Sequence, residues 1–211
     1  MSDLPGWPAT LADGRVTLRP FRGRDAAAWS EVRLTNEEWL TPWEPLAPGY
    51  YDERNSAAAF SPMLRALRKQ ARAGQTMPFS IWWDRTRYAG QLTVGNIVRG
   101  SLNGGYLGYW VDRRLAGRGI MPTAVALAVD HCFTAGGLHR VECNIRPEND
   151  ASRRVVEKLG FREEGLRRRY LYIDGAWRDH VHYALTVEDV PEGCLRRWRS
   201  VSRTHEVPRA T

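Results

Sequence analysis

The segment Arg114-Leu115-Ala116-Gly117-Arg118-Gly119 is the part of this sequence best suited to chemistry, because its residue types fit an anion. Glycine lets the backbone take conformations closed to other residues and removes side chains that would block close approach. Two glycines ahead of a helix let consecutive amides converge on a phosphate, and the helix start adds partial positive charge. Arg113, Arg114 and Arg118 place full charges beside them. The chemistry implied is binding of a phosphate-bearing ligand, whose identity the loop alone leaves open. Gly117 and Gly119 lack the third glycine of the dinucleotide fingerprint, and no GxxxxGK loop is present.

Other chemistry is thinner. Cys132, Cys143 and Cys194 form an odd set without CxxC spacing or paired histidines, so neither a disulfide framework nor a metal site is expected. The 211 residues suit one domain, and 43% hydrophobic with 26% charged residues is ordinary globular composition. No apolar run approaches the roughly 18 to 20 residues that span a bilayer. Met1-Ser2-Asp3-Leu4-Pro5-Gly6 has neither the basic start nor the apolar stretch of a signal peptide, so a cytoplasmic location without a membrane partner is expected. The net charge of +7 favours polyanions, including a phosphate-rich cofactor. Residues 190–211 hold five Arg against two Glu, a solvated end being the plainer reading.

The elements that must position the loop follow from periodicity. Residues 15–20 alternate polar and apolar and predict a first strand, and 25–33 predict a helix opened by Asp25. Residues 41–51, rich in proline, predict a loop carrying Trp43, Leu46, Tyr50 and Tyr51. A second helix is predicted at 56–72, with Phe60, Met63, Leu64 and Leu67 on one face. Strands are predicted at 78–84, 88–97 and 105–111. A helix at about 122–134 begins on Pro122 and stops before Gly136-Gly137. A strand at 139–145, a helix at 150–159 closed by Gly160, and a hairpin of 166–173 and 177–186 around Asp174-Gly175 complete the order. The class is mixed α/β, with residues 1–189 as one domain and 190–211 as a basic C-terminal appendage.

Arg114-x-x-Gly117-x-Gly119, lying between the fourth strand and the third helix, resembles the acyl-CoA pyrophosphate loop of the GCN5-related N-acetyltransferase (GNAT) superfamily. Downstream, Asn144-Ile145-Arg146-Pro147-Glu148-Asn149-Asp150-Ala151-Ser152 and Glu157-Lys158-Leu159-Gly160-Phe161 resemble its second conserved block. Asn149 to Ser152, Glu157 to Phe161 and the hairpin Tyr172-Ile173-Asp174-Gly175-Ala176-Trp177-Arg178-Asp179-His180 are most similar to the Rim-type branch, which acetylates ribosomal proteins. The resemblance implies a GNAT fold: a mixed, mostly antiparallel sheet of about seven strands, splayed between strands 4 and 5, and flanked by about four helices. It implies acetyl-CoA as cofactor, held by backbone near Trp110 and Val111, by Arg114, Ala116, Gly117, Arg118, Gly119 and Ile120, and by Asn149 and Ser152.

The implied reaction is direct attack of a neutral amine on the thioester carbonyl in a ternary complex. It needs a route for the amine's proton, a donor to the developing oxyanion and a proton for the departing thiolate. By resemblance, an amide near Trp110 or Val111 serves the oxyanion and Ser152 protonates the thiolate, although a serine there also suits helix capping. Asn149 matches the residue that bonds the pantetheine arm. Glu142, flanked by Val141 and Cys143, faces the opposite side of the sheet if those two face the core; it is then either a proton acceptor or an exposed strand carboxylate. Asp179 is a second base candidate, with His180 and His182 behind it, and water a third. The aromatic stretch around Trp43, with Glu38, Glu44 and Asp52, is implied to roof the acceptor pocket, which Tyr172 and Asp179 would also reach.

The acceptor stays open between the N-terminal α-amine of a ribosomal or other protein and a small amine such as an aminoglycoside, polyamine or amino-acid derivative. A basic ribosome- or nucleic-acid-binding module, prompted by Arg196-Arg197-Trp198-Arg199, is the alternative of another class, and direct nucleic-acid contact is not expected. A fold that binds acyl-CoA without turnover is disfavoured because the loop and the Asn149 to Ser152 segment are intact. Either a monomer or a homodimer fits.

Overall fold

Strand periodicity runs through most of the chain, and in the computed structural model, which describes residues 4–45 and 48–205, it builds one sheet. The strands are β1 (Leu11–Asp13), β2 (Val16–Pro20), β3 (Met77–Trp83), β4 (Arg87–Val98), β5 (Gly104–Val111), β6 (Arg140–Ile145), β7 (Arg162–Ile173) and β8 (Ala176–Thr186). They lie in the order β1-β2-β3-β4-β5-β6-β8-β7, antiparallel throughout except for the β5–β6 pair. The expected GNAT sheet is present, with one short strand added at its N-terminal edge.

The helices are α1 (Ala26–Thr35), α2 (Glu37–Leu40), α3 (Tyr51–Arg54), α4 (Ala57–Arg72), α5 (Ile120–Phe133), α6 (Asp150–Leu159) and α7 (Cys194–His205). The four expected from periodicity are α1, α4, α5 and α6. The additions are α2 and α3, each one turn long, and α7 in the tail. Stretch 41–51, expected as loop, holds a 3-10 turn at Thr41–Trp43 and enters α3. Leu46 of that stretch, Met1 to Asp3 and the tail beyond His205 lie outside the described residues.

Burial explains the layering. Strand alternation sends Phe79, Ile81, Leu92, Val94, Val141, Cys143 and Leu185 to one face, against Ala124, Val125, Val129, Val156 and Leu159 of α5 and α6. The other face carries Trp82 and Tyr88, covered by Trp29 and Val32 of α1 and Phe60 and Leu64 of α4. Ser56 caps α4, accepting from the Ala59 amide at 3.3 Å. Each fully buried Val, Leu or Phe contributes about 1.5–3 kcal/mol. Helix α5 begins at Ile120, two residues before the expected start; Pro122 sits inside its first turn, where no intrahelical N–H is lost.

The tail differs most from expectation. Helix α7 lays Cys194, Leu195 and Trp198 onto the α5–α6 face, and Asp130 of α5 accepts from the Cys194 and Leu195 amides at 2.6 and 3.0 Å.

One break in the sheet prepares the site. The parallel β5–β6 ladder comprises only Gly104↔Arg140, Gly105↔Val141 and Tyr106↔Glu142. At that end the backbones crowd, since a Cβ on Gly104 would stand 2.9 Å from the Arg140 carbonyl oxygen. Beyond it, β5 continues to Val111 bonded to β4, and β6 continues to Ile145 bonded to β8. The strands therefore part, leaving one edge of β5 open.

Candidate active site

A cleft of about 780 Å³ fills the opening. Tyr109, Trp110 and Val111 of β5 form one wall, and Asn149, Asp150, Ala151, Ser152 and Val155 of α6 form the second. Trp39, Trp43, Glu44 and Pro45 close it from the α2 side. Two long-range bonds hold this roof. Trp39 Nε1 donates to the Val111 carbonyl at 3.1 Å, and the Arg146 guanidinium donates to the Pro42 carbonyl at 2.7 Å while lying over the Trp43 ring.

The glycine loop joins this cleft to α5. Gly117 and Gly119 have φ of 79° and 73°, left-handed values that an L side chain resists. Nothing lies within 4 Å of where a Gly117 Cβ would stand, so the loop is open on that side. Buried Asp112 fixes its stem, accepting from the Arg114 amide at 3.0 Å, the Arg114 guanidinium at 2.9 Å and Asn36 Nδ2 at 3.1 Å. Asn36 Oδ1 in turn accepts from the Arg113 amide at 2.8 Å. Burial opposes charge on Asp112, but the bonds from Arg114 and Asn36 outweigh it and hold its carboxyl below the usual range. Arg114 also pairs with Glu31 at 2.8 Å. Its charge is therefore engaged by carboxylates, whereas Arg118 has no ionic partner among the described residues.

On the α6 wall, Asn149 is the N-cap, its Oδ1 accepting from the Ser152 amide at 3.0 Å. Ser152 is thus relieved of capping, and its hydroxyl donates to the Tyr109 hydroxyl at 2.9 Å. Burial pushes the Tyr109 phenol well above its ordinary value, so it is protonated at neutral pH. Two hydroxyls in contact at the cleft wall form a proton-holding pair. An open anion loop at a helix start, a split sheet and this pair lie along one groove.

The sequence itself settles what such a groove serves. Residues 15–162 match the family model described as an acetyltransferase (GNAT) domain. The chain belongs to the GNAT acetyltransferase family. It is 33% identical over 184 residues to the ribosomal protein uS5-alanine N-acetyltransferase of Escherichia coli (strain K12), covering 87% of this chain and 93% of that one. Mycobacterium smegmatis RimJ in complex with CoA-disulfide superposes with a TM-score of 0.92 at 45% identity, covering 94% of this chain and 97% of RimJ. The ribosomal-protein-S5-alanine acetyltransferase of Vibrio fischeri gives a TM-score of 0.78 at 28% identity, covering 86% and 98%.

As a GNAT enzyme this chain is an acyl-CoA-dependent N-acetyltransferase that uses acetyl-CoA. Of the residues singled out from sequence, Trp43, Trp110, Val111, Asn149 and Ser152 line one cleft. Gly117, Arg118 and Gly119 line an adjoining groove, Ala116 is exposed between Arg114 and Gly117, and Ile120 is buried in the core. Glu142, Tyr172 and Asp179 lie elsewhere. Val141 and Cys143 do face the core, and Glu142 projects to the opposite face, where it pairs with Arg140 and lines a pocket with Glu164, Arg167 and His182. Tyr172 stacks edge-on against Trp177 at the exposed hairpin. Asp179 accepts from the Arg169 amide at 2.7 Å and holds the β7 bulge. His180 and His182 are buried, which pushes both imidazoles below their usual value. Burial raises the thiols, to about 12 for Cys132 and Cys194, so none is a ready nucleophile. Among the described residues no cluster of three or more His, Cys, Asp and Glu is placed to hold a metal, and no helix is long and apolar enough to cross a membrane.

Sequence reading singled out only the backbone near Trp110 and Val111 on this strand and missed the Tyr109 hydroxyl. The available signal was strand parity: Tyr109, two residues beyond core-facing Leu107, shares its face, the side that carries α6. Arg146 was also missed as a roof holder.

Proposed function

We propose that this acetyltransferase transfers the acetyl group to the N-terminal α-amine of a ribosomal protein, within a ternary complex in the cleft. The observation that carries the reading is the pairing of walls: the Ser152–Tyr109 hydroxyls face Trp39, Trp43 and Glu44 across one cavity. The uS5-alanine and S5-alanine acetyltransferases similar to this chain support the choice of acceptor.

Acetyl-CoA supplies an acetyl group activated as a thioester. The loop amides and Arg118 bind its pyrophosphate, and the open edge of β5 with the Asn149 amide orients the pantetheine arm. The amide of Trp110 or Val111 donates to the carbonyl oxygen as charge builds there. The Ser152–Tyr109 pair holds the proton for the departing thiolate at Oγ or Oη. Glu44, whose carboxylate Arg33 holds at 2.7 Å, presents negative charge among indoles, a setting that attracts a cationic amine. Glu142 and Asp179 do not line this cavity, which favours Glu44 over both.

Thiol release from acetyl-CoA, measured over peptides with ribosomal-protein N-termini, aminoglycosides and polyamines, tests the acceptor. Intact-mass analysis of uS5 after incubation should show one acetyl group at its N-terminus. Turnover of a small amine with none of any peptide would overturn the reading.

A further inference from the structure

Helix α4 carries a charge pattern that acetyl transfer does not use. Arg65, Arg68, Lys69 and Arg72 recur at three- and four-residue steps, so all four share one helical face. All four are exposed, and the helix contains no acidic residue. On a different face, Phe60, Leu64 and Leu67 pack into the cluster with Phe21, Trp29 and Val32, which fixes the direction of the basic stripe. None of the four cations has an ionic partner among the described residues, and Arg65 makes one hydrogen bond, to Ser61 Oγ at 3.0 Å. The helix dipole accounts for Lys69 and Arg72 in the last turn, but not for Arg65 and Arg68. Like charges three and four residues apart repel, so the stripe is unfavourable in isolation and invites a polyanion.

Sequence reading looked to the tail for nucleic-acid contact, and there the charge is engaged. Arg196 pairs with Glu192 at 3.3 Å, Arg199 pairs with Asp13, and the Arg197 guanidinium lies against Gly160. The α4 stripe is about 10 Å long at 1.5 Å per residue, the reach of about three successive phosphates of one strand.

Where α4 ends, a groove of about 810 Å³ opens beside it. Gln70, Gln75, Thr76 and Asn96 line it, neutral groups that both donate and accept. The Thr76 hydroxyl is buried there without a hydrogen-bond partner. Amides and hydroxyls beside a row of cations suit RNA, whose phosphates need charge and whose 2′-hydroxyls and base edges need neutral partners. An acidic peptide offers carboxylates to the cations but has neither 2′-hydroxyls nor base edges for the groove. A lipid surface would need the apolar face of α4, which is committed to the core. Helix α4 also covers the sheet face opposite α5 and α6, so a strand held there leaves the glycine loop free.

We infer that α4 and the groove at its C-terminal end form an RNA-binding face, with Arg65, Arg68, Lys69 and Arg72 on the phosphates of one strand.

Fluorescence anisotropy of the full-length protein with a labelled RNA hairpin of about 20 nucleotides, over about 50 to 200 mM salt, tests this. Replacing all four cations by Gln should weaken binding about 100-fold at the low-salt end and reduce the log–log salt slope by about three. Arg65→Gln/Arg68→Gln should reduce the slope by about half as much. Arg196→Gln/Arg197→Gln in the tail should stay within about two-fold of wild type. Wild type should also prefer the RNA hairpin to its DNA counterpart by about five-fold, through the 2′-hydroxyls. Thermal melts and unchanged CoA affinity confirm that the variants fold. A wild-type salt slope in the four-fold variant, an equal loss in the tail variant, or no preference for RNA over DNA overturns the inference. So does tighter binding of a poly-glutamate peptide of equal charge, which would assign the stripe to an acidic protein.

Discussion

At the α6 end of the sheet, Ser152 and Tyr109 share a hydrogen bond beside an open cleft, whereas toward β7 the groups Glu142, Glu164, Arg140 and His182 satisfy one another. Both regions contain residues that a sequence reading would choose for acid–base work. They differ in what remains unspent. Glu142 is paired with Arg140; Glu164 bonds Arg140 and Arg162; His182 bonds Asn144 at 2.9 Å and accepts from Arg140 and Arg167 at 3.3 Å. Such a network rigidifies the β6–β8–β7 layer. The hydroxyl pair is neutral, lines the cleft and stands beside the open edge of β5. Availability, more than residue type, separates a site from a strut.

The sharpest way to break this contrast is at the loop. Gly119→Val forces a branched residue into a left-handed conformation against Trp198, and should weaken CoA about 100-fold by calorimetry. Wild-type affinity would remove the loop from the site. Next, Tyr109→Phe should lower kcat about 100-fold with CoA affinity within two-fold, and Ser152→Ala about ten-fold, the phenol being left in place. Unchanged turnover in both would reduce the pair to packing.

Glu142→Gln is the control from the other region. It should lower stability by about 2 kcal/mol in denaturant titration, since Arg140 loses a nearly buried partner, while kcat stays within about three-fold. A 100-fold fall in kcat would reverse the comparison and restore Glu142 as the base.

The smallest effect is on acid stability. The bonds from Arg140 and Arg162 hold Glu164 down at about 2 from its ordinary 4.5. A depressed carboxyl contributes stability that is complete above its unfolded value and lost as pH falls through the folded one. The network's contribution should therefore persist above about pH 4.5 and fade toward pH 2, and Glu164→Gln should flatten that part of the melting curve. Because Glu164 is partly exposed, solvent screening keeps this effect near or below about 1 kcal/mol.

Legibility followed the range of the physical signal. Alternation and capping are local, so the strands around 78–111, the helix ends at Ser56 and Gly160 and the Asp174-Gly175 turn were readable. The glycine loop was readable because its chemistry is backbone chemistry within six residues. Pairings over long separations were not: Ser152 meets Tyr109 across 43 residues and Val111 meets Trp39 across 72. Nor was the Arg140–Glu142 pair, which is local but rests on a rotamer no pattern encodes. Strand β1, three residues long, offers too short a period to notice. Helix α7 left a mark that charge obscured. Cys194, Leu195 and Trp198 recur at helical spacing inside a tail whose arginines draw the eye.

The three residue pairs that join β5 to β6 also bear on how the molecule comes apart. They are the narrow seam between two hydrogen-bonded ladders, one from β1 to β5 and one from β6 to β8. Amide exchange is expected to report these as separately opening units, with the seam exchanging before either interior. A molecule lodged in the gap touches β5 of one ladder and α6, the helix that follows β6 of the other. At about a hundred times its dissociation constant it would add about 2.7 kcal/mol to the folded state. Breathing of the seam and occupancy by the acetyl donor are then one coupled equilibrium, in which the cosubstrate acts as a fastener for the fold that binds it.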